Sequence, residues 1–355
     1  MVAMSGGVDS SVAMVKILEA GYDAVGITMK LWEYQTVGGK PGSDNSCCGI
    51  EEINGAKLVC DQLGVPHYTL DFTQVFREQV VDNFASEYLG GRTPNPCVRC
   101  NSYVKWDAFI DQADQMGINF IATGHYARVE HRNGNYFLKK GMDPVKDQSY
   151  VLWGIPRKTL KRTIFPLGNL TKKEVRKIAE EYNLPTANAP ESMEICFVAD
   201  NNYRRFLEDY KPEEMAEIPE GVIEENGISI GSHPGYTHYT IGQRKGLKLS
   251  NPEPRYVTGI NPKTNTVQVG LKESLMKTNC KIDQANFLVK DLNFPKNITA
   301  MIRYNSMGGN ATLTNENGGF KLEFDTPQMA ITPGQSAVFY DGDIVIGGGI
   351  IELNS

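Results

Sequence analysis

The run Ser5-Gly6-Gly7-Val8-Asp9-Ser10-Ser11 constrains this chain more than any other stretch. It follows the short apolar segment Val2–Met4 and precedes an amphipathic segment, Ser10–Ala20. A strand that turns through two glycines into a helix is the opening of a βα unit, and successive units of that kind lay their strands parallel in one sheet. The glycines let the backbone approach an anion closely, the hydroxyls donate hydrogen bonds, and the helix N-terminus offers N–H groups and the positive end of its dipole. Such a loop grips pyrophosphate. It lacks the lysine of the Walker A pattern, which excludes a kinase or GTPase loop, and Asp9 suits Mg²⁺ better than a phosphate oxygen. The plain alternative is a βα turn in which Ser and Asp merely cap a helix.

The first 200 or so residues repeat the pattern. Apolar runs predict strands at Ala24–Lys30, His67–Phe72 and Asn119–Thr123, and helices are expected at Glu51–Leu63, from about Gln74 to Leu89, and near Thr171–Tyr182. Gly21 and Gly64 stand where a left-handed residue ends a helix, and Thr171 with Glu174 has the spacing of a capping box. Beyond about residue 210 the texture changes to short alternating strands broken by Asn226-Gly227, Gly318-Gly319 and Asp341-Gly342. The fold class is therefore α/β: a parallel-sheet, Rossmann-like domain over 1–210, a small β-rich middle domain over 211–281, and a C-terminal β-barrel over 282–355. Lys211–Glu220 reads as the linker and Ile282–Phe287 as the second boundary.

No apolar run approaches the roughly 20 residues of a membrane helix, and the N-terminus has neither signal-peptide nor transit-peptide character. A cytoplasmic protein with no membrane partner is expected. Seven cysteines then argue for catalytic, metal-bound or incidental thiols rather than a disulfide framework. The net charge of −6 gives no global attraction to nucleic acid, so any RNA contact must use a local patch.

Ser-Gly-Gly-Val-Asp-Ser-Ser resembles the signature of the PP-loop ATP pyrophosphatases. Further motifs narrow the likeness to the tRNA-specific 2-thiouridylase family: Gly26-Ile27-Thr28-Met29-Lys30-Leu31-Trp32, Thr93-Pro94-Asn95-Pro96 with Cys100-Asn101, Ala122-Thr123-Gly124-His125-Tyr126-Ala127-Arg128, Lys146-Asp147-Gln148-Ser149-Tyr150, Glu194-Ile195-Cys196-Phe197, and Tyr239 to Leu247. The resemblance covers essentially the whole chain, although the first strand is shorter than usual for the family. It implies ATP and Mg²⁺ as cofactors, with the nucleotide held by Ala3, Met4, Ser5, Gly6, Gly7, Val8, Asp9 and Ser10 and flanked by Met29 after the second strand and Gly124 after the fourth. The implied reaction is adenylation of the 2-oxygen of wobble uridine 34, then sulfur transfer, giving 2-thiouridine, AMP and pyrophosphate. The implied substrates are the tRNAs for Lys, Glu and Gln. A small-molecule PP-loop ligase would share the loop but not the paired thiols or the β-rich C-terminal part.

The resemblance assigns the sulfur chemistry to Cys100 and Cys196. Cys196 would carry a persulfide and Cys100 act as nucleophile, with a sulfur-donor protein or inorganic sulfide as source. Asn101 reads as the N-cap of a helix through Trp106 and Phe109, and a helix N-terminus favours thiolate at the neighbouring Cys100. Cys97 stands where the best-known members carry Asp. Cys97, Cys100 and Cys196 could thus hold a [4Fe–4S] cluster at three irons, an alternative to relay by bare thiols. Cys47, Cys48, Cys60 and Cys280 read as structural or incidental.

RNA contact is implied for Asn95, Pro96 and Cys97 at the base, and for His125, Lys146, Asp147, Gln148, Arg303, Tyr304 and Gln335 elsewhere on the tRNA. A carboxamide such as Gln148 both donates and accepts, as a uracil edge requires. Arg157, Lys158, Lys161, Arg162, Lys172, Lys173, Arg176 and Lys177 form a basic cluster able to track phosphates, and Gln243-Arg244-Lys245 is a second candidate.

Overall fold

A computed structural model describes residues 1–32, 50–190, 195–198, 200–250, 252–304, 306–316 and 318–352; Cys47, Cys48 and Glu194 lie outside them. The chain divides by its contacts into two units, each interrupted in sequence: 1–80, 97–202 and 343–346 in the first, 81–96, 203–342 and 347–355 in the second.

The first unit is built on five parallel strands: β1 (Val2–Ala3), β2 (Gly26–Lys30), β3 (His67–Asp71), β4 (Ile121–Ala122) and β7 (Thr163–Ile164), in the order β3-β2-β1-β4-β7. The antiparallel hairpin β5 (Ala127–Arg132) and β6 (Asn135–Lys140) follows β4. The Val8–Glu19 helix is buried along most of its length, packing Val8, Val12 and Val15 into a core with Ala56, Val59, Val175 and Ala179. Burial on that scale is what fixes a helix whose first turn carries Ser10 and Asp9, residues that favour caps over helix interiors. Gly21 and Gly64 adopt φ of 80° and 68°, the left-handed geometry expected after the Val8–Glu19 and Ile50–Leu63 helices. The Thr171 capping box forms in full ahead of the Lys172–Glu181 helix.

Two helices differ from the sequence expectation. The run from Thr73 to Leu89 contains a π-helical stretch, Arg77–Val81. The second helix does not begin at Asn101. It starts at Pro96, becomes π-helical over Cys100–Ala108 and continues over Phe109–Gln115. Proline has no N–H to leave unpaired and its φ is already helical, so Pro96 rather than Asn101 opens the helix. Asn101 is buried inside it and donates to the Val151 carbonyl (3.0 Å).

In the second unit, β8 (Gly221–Glu225), β9 (Ile228–His233), β10 (Tyr256–Asn261) and β11 (Thr266–Gly270) form a sheet in the order β10-β11-β8-β9, closed over Ile223, Val257 and Val267. The Asn226-Gly227 turn between β8 and β9 has positive φ at both residues, as a two-residue hairpin demands. A six-stranded barrel follows, made of β12 (Met276–Phe287), β13 (Lys296–Met301), β14 (Gly309–Glu316), β15 (Gly319–Met329), β16 (Ser336–Asp341) and β17 (Ile344–Glu352), with β12 pairing both β15 and β17 to close it. The expected linker is partly helical: Pro212–Ala216 forms a helix with proline at its start, after the Tyr203–Tyr210 helix. Tyr203 stacks on Tyr88 with ring centroids 4.6 Å apart.

Candidate active site

The strand order makes β1 the centre of the first sheet, with β2 on one side and β4 on the other. That is a topological switch point, where open parallel sheets leave a crevice beyond the C-terminal ends of their strands. The Ser5–Ser11 loop leaves β1 at this crevice, and Gly124 follows β4 beside it. Gly6 holds φ at +75°, and a Cβ there would lie 2.2 Å from the Glu52 carbonyl oxygen. A Cβ on Gly124 would lie 2.8 Å from the Asp9 carbonyl carbon and 2.9 Å from the Ser10 nitrogen. Both positions demand glycine, which is how the loop stays tight enough to present its N–H groups.

Hydroxyls brace the turn from inside. Ser10 Oγ donates to the Gly7 carbonyl (3.0 Å) and accepts from the Ser5 N–H (3.2 Å); Ser11 Oγ donates to the same carbonyl (2.9 Å) and accepts from Thr186 Oγ1 (2.7 Å). Asp9 occupies the first turn. Its carboxylate accepts from Tyr126 Oη (2.7 Å), while Lys172 Nζ reaches both oxygens at 2.7 and 2.8 Å. Lys172 is the first residue of its helix, and its N–H donates to Asp143 Oδ2 (3.0 Å). Although burial works the other way, N–H donors from Lys172, Val145 and Lys146 hold the Asp143 carboxyl below its ordinary range. The loop that lacks a Walker lysine in sequence therefore has a lysine beside it in space.

That lysine was expected only as one member of a phosphate-tracking strip, and the strip divides. Arg162 is spent on the carbonyls of Ile118 and Asn119 and on Asp114, Arg176 donates to the Ala187 carbonyl, and Lys177 pairs with Glu181. Arg157, Lys158, Lys161 and Lys173 remain solvent-exposed. Met29, expected after the second strand, lies within β2, buried and registered opposite Leu70.

The RNA-contact candidates also separate. His125 is buried, its Nδ1 hydrogen-bonded to Thr123 Oγ1 (2.8 Å) and its ring packed by Trp106 and Phe165. Burial, reinforced by Lys105, pushes its pKa well below the ordinary histidine value, so it is neutral at pH 7. Gln148 clasps Tyr126: its N–H donates to the Tyr126 carbonyl (2.9 Å) and its Oε1 accepts from the Tyr126 N–H (3.0 Å). Asp147 folds the same loop through Gly141 and Ser149. Lys146 is half-buried nearby. In the second unit Arg303 and Tyr304 are exposed, Arg303 donating to the Met329 carbonyl (2.8 Å). Gln335 donates to the Thr93 and Pro94 carbonyls, just before Asn95 and Pro96.

Cys97 is the exposed second residue of the helix opened by Pro96, so the favourable end of that helix falls on Cys97 rather than Cys100. Cys100 is 8% exposed, one turn further on. Arg99 between them donates to the Gln79 carbonyl (2.6 Å), tying this helix to the π-helical Arg77–Val81 stretch. Cys196 is half-buried on a turn whose Phe197 packs against Phe76 (5.7 Å). Among the described residues no three Cys, His, Asp or Glu side chains are gathered in a metal-holding group. Cys60 and Cys280 are inert by contrast: burial pushes their thiols up to about 11 and about 12.

A pyrophosphate loop at the switch point of a parallel sheet, with a lysine and an aspartate at its rim, defines an ATP-using PP-loop protein. Residues 1–200 match the family described as tRNA methyl transferase HUP domain, 204–271 its PRC-barrel domain, and 277–351 the aminomethyltransferase beta-barrel domain. A tRNA-specific 2-thiouridylase MnmA from Salinibacter ruber is 47% identical over 359 residues, covering 99% of this chain and 94% of the relative. Its counterpart from Carboxydothermus hydrogenoformans is 45% identical, covering 99% and 97%. A solved U34-tRNA thiolase NcsA from Methanococcus maripaludis, carrying a [4Fe–4S] cluster, is 18% identical with a TM-score of 0.33, over 61% of this chain and 73% of that one; a likeness so distant does not bear on chemistry. The chain belongs to the tRNA-specific 2-thiouridylase (MnmA) family. Among the described residues no helix is long and apolar enough to cross a membrane.

Proposed function

We propose that this protein converts the wobble uridine of tRNA to 2-thiouridine at the expense of ATP, in the cytoplasm, on the tRNAs for Lys, Glu and Gln. The observation that carries the reading is the pyrophosphate loop with Lys172 at its rim, in the same unit as Cys100 and Cys196. A methyl transferase, the activity in the family description, would need neither a loop for pyrophosphate nor a carrier thiol. In the first step O2 of uridine 34 attacks the α-phosphorus of ATP, a P–O bond forms, and the bond to the bridging oxygen breaks to release pyrophosphate. The loop N–H groups and Lys172 hold the charge that develops on the leaving group. Asp9 would hold Mg²⁺ beside the substrate phosphates, where the ion would neutralise phosphate charge.

In the second step the terminal sulfur of a Cys196 persulfide attacks C2, and AMP departs with the former O2. Cys100 thiolate then attacks Sγ of Cys196, the S–S bond breaks toward the base, and a Cys100–Cys196 disulfide remains for an external dithiol to reduce. The sulfur reaches Cys196 from a donor persulfide. Relay by these two thiols needs no cluster. His125 acts on RNA indirectly, as a neutral packing partner of the Gly124 turn, while Asn95, Pro96, Cys97, Lys146, Arg303 and Tyr304 face the tRNA.

Cys196→Ser and Cys100→Ser should each abolish 2-thiouridine, read by mass spectrometry of digested tRNA, while tRNA-dependent exchange between ATP and pyrophosphate persists. ADP and phosphate as products, or undiminished thiolation in both variants, would overturn the scheme. Cys97→Asp should keep its activity under air with a persulfide donor; loss of activity restored only by iron and sulfide would favour a cluster instead.

A further inference from the structure

We propose that the loop over residues 239–249, which leads toward β10 in the middle domain, is a phosphate site for the tRNA backbone, formed by Arg244, Lys245 and Lys248. The proposal rests on tRNA being the substrate, and it adds a contact in the middle domain.

Of the sequence candidates Gln243, Arg244 and Lys245, the first is used inside the loop. Gln243 Oε1 accepts from the Thr240 N–H (3.2 Å), and its Nε2 donates to the Lys245 carbonyl (2.9 Å). The backbone serves the same end. The Gln243 N–H donates to the Thr240 carbonyl (3.0 Å), the Gln243 carbonyl accepts from the Val257 N–H (2.9 Å), and the Gly242 N–H donates to the Val257 carbonyl (2.8 Å). Leu247 is 5% exposed in a core with Val257 and Val267, and Ile241 and Leu249 pack against the same core. Apolar residues on both sides of the turn are thus anchored, while Arg244, Lys245 and Lys248 stand in solvent.

Lys248, which the sequence did not single out, holds φ at +53°, a left-handed conformation in which glycine is the ordinary choice. The loop does use glycine at its other two left-handed positions, Gly242 (+88°) and Gly246 (+85°). A lysine at the third adds both a charge and backbone strain, and strain of this kind gathers at functional sites. Among the described residues none of the three cations pairs with a carboxylate. Arg255 differs: it is 17% exposed and paired with Glu225 at 2.6 Å. Arg244, Lys248 and Arg255 border one cavity of about 290 Å³, whose one acidic residue, Glu253, lies 3.8 Å from Arg255. The chain as a whole carries a net charge of −6, so three unpaired cations on one loop are a local reversal of sign that a polyanion complements. The cavity is small for a site that surrounds a whole ligand, and it suits one sugar–phosphate of a longer chain. Phosphate contacts carry no sequence information, so the site should serve any tRNA.

Affinity for unmodified tRNA with uridine at position 34 is measured by filter binding without ATP, from about 50 to about 200 mM salt. Arg244→Ala, Lys245→Ala and Lys248→Gly should each flatten the slope of log K against log salt by about 0.7–0.9. The triple variant should flatten it by about 2–3 and raise Kd about tenfold or more. Lys248→Gly should also hold Tm or raise it by about 1–3 °C, since glycine suits this backbone; a merely structural lysine would lose Tm and affinity together. Lys263→Ala, which removes an exposed cation from the turn between β10 and β11, is the control and should leave the slope in place. A wild-type slope in the triple variant, a lower Tm with Lys248→Gly, or equal flattening with Lys263→Ala would each overturn the site. Formation of 2-thiouridine by the wild type is scored separately. tRNA bound through this loop but never thiolated would leave the site standing and sink the functional reading, whereas normal thiolation with an unchanged slope in the triple variant would do the reverse.

Discussion

Lys172→Met should separate nucleotide handling from the remainder of the reaction. Lys172 Nζ spans both oxygens of Asp9, and its side chain is only 13% exposed. Its position at the loop rim puts a cation beside the expected pyrophosphate site. A hydrogen bond to a charged group contributes about 1.5–3 kcal/mol, which corresponds to a loss of about 10- to 150-fold in the affected step at 1.36 kcal/mol per factor of ten. The stability cost should be within about 1 kcal/mol, because Asp9 is partly solvated and keeps its bond from Tyr126. The assay is tRNA-dependent exchange of labelled pyrophosphate into ATP across a range of ATP concentrations, alongside thermal unfolding. The KM for ATP or the exchange rate should shift by the stated factor with Tm nearly unchanged. Exchange within twofold of wild type in Lys172→Met would refute the assignment.

Gly6→Ala should reduce ATP exchange by at least about 100-fold and lower Tm, since the new methyl group must sit 2.2 Å from the Glu52 carbonyl oxygen at φ +75° and left-handed φ alone costs a non-glycine residue roughly 1–2 kcal/mol; full activity would show that the loop can open. The buried His125 makes stability depend on pH. Its folded pKa is depressed, so the unfolded chain binds the extra proton: the contribution is complete above the unfolded value near 6.5 and is lost as pH falls below it toward the folded pKa. His67, His233 and His238 are shifted the same way, each chiefly by burial. Urea midpoints at pH 7.5 and 5.5 should therefore fall with acidity, and His125→Asn should flatten the slope by at most about 1.4 kcal/mol per pH unit; an unchanged slope would mean the imidazole is already charged when folded.

How far the sequence reaches depends on whether a residue's role is set locally. Gly21, Gly64 and the Thr171–Glu174 pair act within one turn of a helix, and they were legible because their neighbours in sequence are their partners. The Ser5–Ser11 loop was legible for the same reason. The helix at Cys100 was misplaced because Asn101 has cap chemistry, and nothing nearby signals that its amide is used on Val151 some 50 residues away. Pro96 was the available signal, being a proline just inside a helix start. Lys172 was seen only as one basic residue among several. Its partner Asp9 lies 163 positions earlier, and only the parallel sheet brings the two βα connections to one crevice. Gln335 has the same history: the carbonyls it serves lie more than 240 positions upstream.

The hairpin β5–β6 has a consequence for anyone wishing to cut this protein into pieces. Asp343 accepts from Arg128 (2.9 Å) and lies 3.1 Å from Lys139, which also pairs with Glu130; its carbonyl takes the Lys140 N–H at 2.9 Å, and Ile344 registers with Lys139. The body that carries the nucleotide loop is thus completed by Asp343–Ile346, nearly at the other end of the chain. A fragment ending near residue 200 would leave Arg128 and Lys139 without that carboxylate and β6, the inner strand of the hairpin, without its neighbour β17. Chain order and physical body do not coincide here, and an autonomous catalytic half cannot be obtained by a single cut.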